Sequence, residues 1–191
     1  LRKLQEMDER HKHMQSTMIE WRDGALIPFL GESIKLKLDA SHLFKDAGGR
    51  LEQALSSDGL GQVRTLQISV AQNATEPQIR DAVQAWLMQQ AKQLFIQRLD
   101  HFAPILGVQW RKLSLSNAST RWGSATSDGS IRLNWRLVHF KMDVIDYVVA
   151  HELSHLRVMN HGPQFWETVG TVVPDYAQRR QLLKDDSLPR W

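Results

Sequence analysis

His151, Glu152 and His155 form the pattern His-Glu-x-x-His, whose residue types and spacing suit a zinc site. Two histidines four positions apart lie on one face of an α-helix, so both imidazoles can reach one metal ion. The glutamate after the first histidine can act as general base on a water molecule bound to that metal. A third histidine, His161, follows six residues after His155. Three protein ligands leave one position of a tetrahedral zinc open, and the pattern therefore predicts a zinc hydrolase.

The residues around this motif have the period of a helix that is apolar on one side. Asp143 is a suitable N-cap, and apolar side chains recur at helical spacing from Val144 onwards. On a helical projection, the two motif histidines and the glutamate fall on the side that would otherwise face the core. Burying three ionisable groups costs free energy unless something pairs with them, and one metal ion would pair with all three. Histidines that only form hydrogen bonds in the core are the alternative.

The chain must turn after the motif to bring His161 back to the metal. Asn160 and Gly162 flank this histidine, and both residue types tolerate turn conformations. We therefore expect the helix to end at Met159 or Asn160, with a second helix beginning at Pro163. An exposed turn histidine without a metal is the alternative for His161.

A hairpin is predicted immediately upstream, within residues 108–137. A cluster of turn residues separates Trp122 from an alternating stretch that ends at Trp135. Zinc peptidases usually have a strand edge beside the metal, where a peptide can add as an extra strand. A cation or an amide at that edge could stabilise the oxyanion that forms on the attacked carbonyl, whereas the two tryptophans are more often core residues. The residues that we consider for substrate binding are Arg121, Asn134 and Arg136.

The rest of the chain is expected to form a single domain around these elements. Residues 1–23 predict a charged helix or arm, and residues 24–191 predict the domain. Early strands are expected within 24–71, interrupted by a long hairpin loop over Ser41 to Gly61, which is rich in glycine, serine and aspartate.

A long helix is predicted over 75–102, where Thr75 and Gln78 have the spacing of a capping box. The zinc-binding helix and the C-terminal helices are expected within 143–185. Strands followed by a long helix, a hairpin and another helix indicate an α+β fold.

The composition limits the classes of function. The chain has 191 residues, 42% of them hydrophobic, and no cysteine, which excludes disulfides, cysteine-based zinc sites and thiol catalysis. No apolar stretch approaches the roughly 20 residues needed to span a bilayer, and the charged start does not resemble a signal peptide, so we expect a cytoplasmic protein. The net charge of +3 permits an anionic partner, such as a nucleotide or DNA, without requiring one. The oligomeric state is left open.

Several segments together resemble the YgjP-like metallopeptidases, which belong with the SprT-like and WLM zinc peptidases. The resemblance implies a zincin-type peptidase domain, with a small antiparallel or mixed sheet packed on the zinc-binding helix and a peptide or protein substrate. It also implies His151, His155 and His161 as zinc ligands and Glu152 as catalytic acid/base. The segments that carry it are Arg121-Trp122-Gly123-Ser124, Ile131 to Leu137, Val144 to Leu156, Asn160-His161 and Phe165-Trp166.

Two departures narrow this resemblance. The turn after Gly123 reads Ser124-Ala125-Thr126, where the family usually has Ser-Cys-Ser, and this excludes a thiol role there. The ligand spacing equals that of metzincins, but Val158 stands where metzincins have a helix-ending glycine, and no methionine follows Met159 to form their Met-turn. The metzincin alternative is therefore rejected.

Two further functions use the same metal differently. A nucleotide or other phosphate ester could be hydrolysed if Arg121, Arg132 and Arg136 clamped phosphate oxygens. A DNA-associated or protein-binding module would instead need a closed structural zinc site, with Glu167 or Asp175 as the fourth ligand. The same two carboxylates are the substitutes if His161 is not a ligand.

Overall fold

In a computed structural model of the chain, the structure describes residues 4–5, 18–41, 48–55, 62–185 and 191. Most of the predicted N-terminal arm, residues 1–23, lies outside these described residues. Small mixed sheets and helices make up the described part, which confirms the α+β class. The chain divides into two compact units, the first formed by Leu1–Ile27, Ser33–Ala82 and Asp185–Trp191, and the second by Pro28–Glu32 and Val83–Lys184.

A four-stranded sheet contains the early strands. Its strands are β1 (Leu26–Phe29), β2 (Glu32–Leu38), β3 (Gly49–Leu55) and β4 (Gln62–Ile68), in the order β1-β2-β4-β3. Strand β2 pairs with β4 in parallel, and β3 pairs with β4 in antiparallel orientation. The alternation along β2 buries its apolar side chains and leaves its two lysines exposed, as a half-buried strand requires.

The loop predicted over Ser41 to Gly61 is wrong in its middle, because β3 lies there. Its local composition favours a loop, but seven consecutive residues pair with β4, and pairing in a sheet overrides a weak local preference. Residues 42–47 and 56–61, the rest of the predicted loop, lie outside the described residues.

The long helix α1 spans Glu76–Leu106. The predicted capping box is present, because the backbone N–H of Gln78 donates to the Thr75 hydroxyl (3.3 Å) and the backbone N–H of Thr75 donates to the side-chain oxygen of Gln78 (2.9 Å). The helix continues four residues beyond its predicted end and includes Pro104, and this last turn buries Ala103 and Leu106 while Ile105 is exposed. It ends where Gly107 adopts a positive φ of 68°.

A three-stranded sheet lies in the second unit. It consists of β5 (Lys112–Ser116), β6 (Gly123–Ala125) and β7 (Ser130–Asn134), in the order β5-β7-β6. Only β6 and β7 form a hairpin, and β6 occupies the start of the stretch that was predicted as its turn, whereas β5 pairs with β7 in parallel. The predicted hairpin over 108–137 therefore contains both the β6-β7 hairpin and a crossover from β5 to β7. The chain between β5 and β7 is long enough to return to the same end of the sheet, which a parallel pair requires.

Helix α2 (Met142–Ser154) follows a 3-10 turn at Trp135–His139 and packs on β6 and β7. Its N-cap is Lys141, not the predicted Asp143, which lies in the first turn. Helices α3 (Pro163–Val172) and α4 (Tyr176–Asp185) complete the unit, and α3 begins at the predicted proline. Within the described residues, no helix is both long and apolar enough to cross a membrane.

Candidate metal centre

His151, His155 and His161 form a tight cluster. One ring nitrogen from each can be chosen so that the three atoms lie within 4.8 Å of one another. The ring centres are 5.0 Å apart for His151 and His155, 5.2 Å for His151 and His161, and 4.6 Å for His155 and His161. Three imidazoles on one tetrahedral ion, each nitrogen about 2.0–2.1 Å from the metal, have ring centres about 5 Å apart. The cluster therefore fits a metal ion held by three nitrogens.

The end of helix α2 positions these rings. The helix ends at Ser154, about one turn before the predicted Met159, and His155 is its C-cap. The Nδ1 atom of His155 lies 3.2 Å from the carbonyl oxygen of Val158, an arrangement in which Nδ1 donates and Nε2 is left for a metal. Burial lowers the pKa of His155, so its ring is neutral at neutral pH, as a metal ligand must be. The early end of the helix gives the chain the turn that brings exposed His161 to the cluster.

Two aromatic rings from helix α3 pack against the cluster. Phe165 is fully buried and stacks on His155, with ring centres 4.4 Å apart and an interplanar angle of 21°. Trp166 lies nearly parallel to His161, with ring centres 6.1 Å apart. Packing of this kind restricts ring orientation, so α3 helps to hold two of the three imidazoles in place.

Glu152 is a buried carboxylate beside the cluster. Its side chain lies under strand β6, and one carboxylate oxygen is 3.1 Å from Nδ1 of His151. Gly123 makes this approach possible, because a Cβ atom at that position would lie 3.0 Å from Cγ of Glu152 and 3.1 Å from its Oε1. Any other residue at position 123 would press on the carboxylate.

Strand β6 has an open edge among the described strands. The backbone N–H of Asn134 donates to the Trp122 carbonyl (2.9 Å), and the backbone N–H of Thr126 donates to the Ser130 carbonyl (3.0 Å). Hydrogen bonds of an antiparallel pair fall on alternate residues. The peptide groups of Gly123 and Ala125 therefore point away from β7 and are available to another strand.

A cavity of about 560 Å³ opens beside the cluster and this strand edge. Tyr147 lies one helical turn before His151, and its ring contacts that histidine at 5.9 Å. Burial raises the pKa of Tyr147 to about 12, so its hydroxyl keeps its proton at neutral pH. The cavity is lined by Arg121, Trp122, Gly123, Ser124, Ala125, Tyr147, Val148, His151, Glu152, His155, Met159, His161, Arg180, Leu183 and Lys184.

The candidate substrate residues fall in different places. Arg121 lines the cavity, but Asn134 and Arg136 do not. The side-chain amide of Asn134 donates to the carbonyl oxygens of Ala118 (2.8 Å) and Arg121 (3.2 Å) and so stabilises the loop before β6. The guanidinium of Arg136 stacks over Trp135, with 4.7 Å from its carbon to the ring centre. Both side chains have packing roles here, and their part in substrate binding stays a prediction.

The structure also gives the positions of the alternative metal ligands and of the arginines considered as a phosphate clamp. Neither Glu167 nor Asp175 belongs to the histidine cluster, and neither lines the cavity. The carboxylate of Asp175 pairs instead with Arg179 at 3.0 Å. Of the three arginines considered as a phosphate clamp, only Arg121 lines the cavity, whereas Arg132 and Arg136 do not. Within the described part of the chain, the cluster offers three side chains that could bind a metal ion and no fourth.

Comparison with known families decides the class of the protein. Residues 1–186 match the family described as YgjP-like, metallopeptidase domain. The chain belongs to the YgjP-like family. It is therefore a metallopeptidase, and the family implies a metal ion, which the histidine cluster can hold. Comparison with curated protein sequences finds no match.

Two solved structures are similar to part of this YgjP-like protein. The metallopeptidase zymogen of Pyrococcus abyssi abylysin is 22% identical, with a TM-score of 0.44, over 50% of this chain and 99% of that one. The metallopeptidase zymogen of Methanocaldococcus jannaschii jannalysin is 16% identical, with a TM-score of 0.43, over 47% of this chain and 93% of that one.

The sequence reasoning missed three ionisable residues that line the cavity, namely Tyr147, Arg180 and Lys184. Tyr147 could have been found, because it is four residues before His151 and so lies on the same helical face. Arg180 and Lys184 share a face of α4, but nothing in the sequence places that face at the cavity. Their position depends on the course of the chain after His161.

Proposed function

We propose that this metallopeptidase uses zinc, held by His151, His155 and His161, with Glu152 as general acid/base. The observation that carries the proposal is the near-equal separation of the three rings, beside a buried carboxylate and an open cavity. Three nitrogen ligands and no cysteine are a donor set that suits zinc. The proposed substrate is a peptide or protein segment.

Zinc, when bound, supplies Lewis acidity that activates water and polarises the scissile carbonyl. Glu152 takes the proton from the attacking water and delivers it to the leaving amine. Its contact with Nδ1 of His151, at 3.1 Å, holds the carboxylate on one side. The close approach of Gly123 fixes the carboxylate from the other side.

The peptide is proposed to lie along β6. The outward peptide groups of Gly123 and Ala125 offer one amide and one carbonyl each, which is how an extended chain adds to a sheet edge. This arrangement would place a scissile bond in the cavity that holds the histidines and Glu152. The contact is through the backbone, so it supplies affinity without selecting a side chain.

Tyr147 is the proposed donor to the oxyanion. The residue is only 4% exposed, and its side chain lines the cavity beside His151. A tyrosine hydroxyl in the wall of a cavity can donate a hydrogen bond to a bound ligand. Because its pKa is raised to about 12, the group stays a donor at neutral pH.

Glu152→Gln tests the chemical assignment. The amide keeps the shape of the side chain but cannot take up a proton, so peptide hydrolysis should fall by about 1,000-fold or more while zinc content stays at one per chain. The measurement is cleavage of a quenched casein-type peptide, with zinc determined in the same preparation. Lys92→Gln, an exposed change on α1, is the control. Equal activity of Glu152→Gln and the parent would refute the mechanism.

A further inference from the structure

Among the residues that the structure describes, three cations line the cavity, and Glu152 is the one carboxylate that does so. The cations are Arg121, which lies two residues before β6, and Arg180 and Lys184, which lie one turn apart on α4. All three are exposed. In the part of the chain that the structure describes, none of them forms an ion pair with a carboxylate. The cavity therefore holds positive charge that the described residues do not neutralise.

Arg180 connects this charge to the candidate metal centre. Its guanidinium carbon lies 5.2 Å from the centre of the Trp166 ring, and that ring lies 5.8 Å from the ring of His151. This cation–π contact holds the guanidinium group over the ring, and a guanidinium held in this way still has N–H groups that can donate to a ligand. A substrate group bound by Arg180 would therefore belong to a residue within a few positions of a peptide bond held at the histidines.

The rest of the lining explains why charge would decide selectivity. Trp122, Val148, Met159 and Leu183 are apolar and would accept many side chains. Cations collected in a concave site with apolar walls raise the local concentration of anions. A metal ion at the histidines would add to the same field, so a substrate of negative charge is favoured and a cationic one is disfavoured.

We infer that this cavity selects peptides by a carboxylate near the scissile bond, bound by Arg180 and Lys184 with Arg121. The carboxylate belongs to a glutamate or aspartate side chain or to the C-terminus of the peptide, since both present the same group to a guanidinium. This inference rests on the proposed peptidase function, and it adds the substrate class.

Binding can be measured without turnover in zinc-loaded Glu152→Gln. Alanine-based peptides that carry glutamate, glutamine or lysine at one position, each with a free or an amidated C-terminus, are titrated by calorimetry. A glutamate peptide should bind about tenfold more tightly than its glutamine counterpart, because one charge-assisted contact is worth about that factor. If the terminus is the source, amidation should instead cause the tenfold loss. Equal dissociation constants across the set would overturn the inference.

Substitutions on α4 assign the effect to its residues. Arg180→Gln and Lys184→Gln, each in the Glu152→Gln background, should reduce the preference for the carboxylate to about threefold or less, and Arg180→Glu should favour the lysine peptide. Lys92→Gln is the matched control, because it removes the same charge from an exposed helical position that does not line the cavity. An equal reduction of the carboxylate preference in Lys92→Gln would mean that the preference depends only on the net charge of the protein, which contradicts a specific binding site in the cavity.

Cleavage by the parent separates this inference from the proposed function. Hydrolysis of all peptides at one rate would contradict the carboxylate preference and leave the peptidase assignment standing. No cleavage of any peptide, with the binding order unchanged, would refute the peptidase assignment and support the anion site. Release of phosphate from a nucleoside triphosphate that is lost in both Glu152→Gln and Arg180→Gln would overturn the peptide as the ligand.

Discussion

Gly123→Ala should impair catalysis without removing the metal. The added Cβ would lie 3.0 Å from Cγ of Glu152, 3.1 Å from its Oε1 and 3.1 Å from the carbonyl oxygen of Arg132. Ordinary contacts of a Cβ begin at 3.4 Å, so the neighbours must retreat by a few tenths of an ångström. The Arg132 carbonyl belongs to a paired strand, and the carboxylate is therefore the group that moves.

The size of the effect follows from this displacement. A misplacement of about 1 Å can cost about 100-fold in rate, so a shift of roughly half that size should lower kcat by about 10-fold. The assay compares kcat, KM and zinc content of Gly123→Ala with those of the parent. Ala125→Gly on the same strand is the control for a change in backbone freedom. An unchanged kcat would show that the contact with Gly123 does not position Glu152, and a loss of zinc would show that the strand supports the ligands instead.

Three other changes test separate parts of the structure. His161→Ala should lose zinc on mild chelation, measured by metal analysis, with little change in thermal stability, because this ligand is exposed; zinc retained at the parent level would place the third ligand elsewhere. Tyr147→Phe should lower kcat by about 10- to 100-fold with KM nearly unchanged, and an equal kcat would exclude it as the oxyanion donor. Burial lowers the pKa of His139 from 6.5 to about 4, so the unfolded chain takes up a proton that the folded one does not as the pH falls between these values. Stability is therefore lost on acidification, by about 3 kcal/mol over that window, and urea titrations at pH 7 and 4.5 should show a smaller loss for His139→Asn.

The histidine cluster was predictable because its geometry is mostly local. Helical spacing places two histidines and the glutamate together, and a third histidine that follows after a short turn must lie nearby. The turn itself was predicted with the wrong boundary, since nothing in the apolar period marks Ser154 as the last helical residue. The helix ends there although apolar residues continue at helical spacing to Met159, so periodicity alone gave the wrong end.

Sheet pairing was less predictable, for a different reason. The alternation along β2 identifies a strand, but no local feature states that β2 pairs with β4 in parallel or that β3 exists at all. Asn134 illustrates the same limit at the site. Its residue type suits an oxyanion donor, whereas its amide is used by two backbone carbonyls of a loop that the sequence could not place.

The elements that carry chemistry and those that carry selectivity differ in how firmly they are held. Asp146, one turn and a residue before His151 on α2, makes a two-point ion pair with Arg98 of α1, at 2.6 and 2.9 Å, and both side chains are largely buried. Such a pair fixes orientation, so the helix that bears His151 and Glu152 is held by α1 as well as by its apolar contacts. The cations of α4 are exposed and held by one stacking contact at most. Substitutions on α4 should therefore change which peptides are cleaved while the centre keeps its reaction, and substitutions around Asp146 should affect all substrates equally.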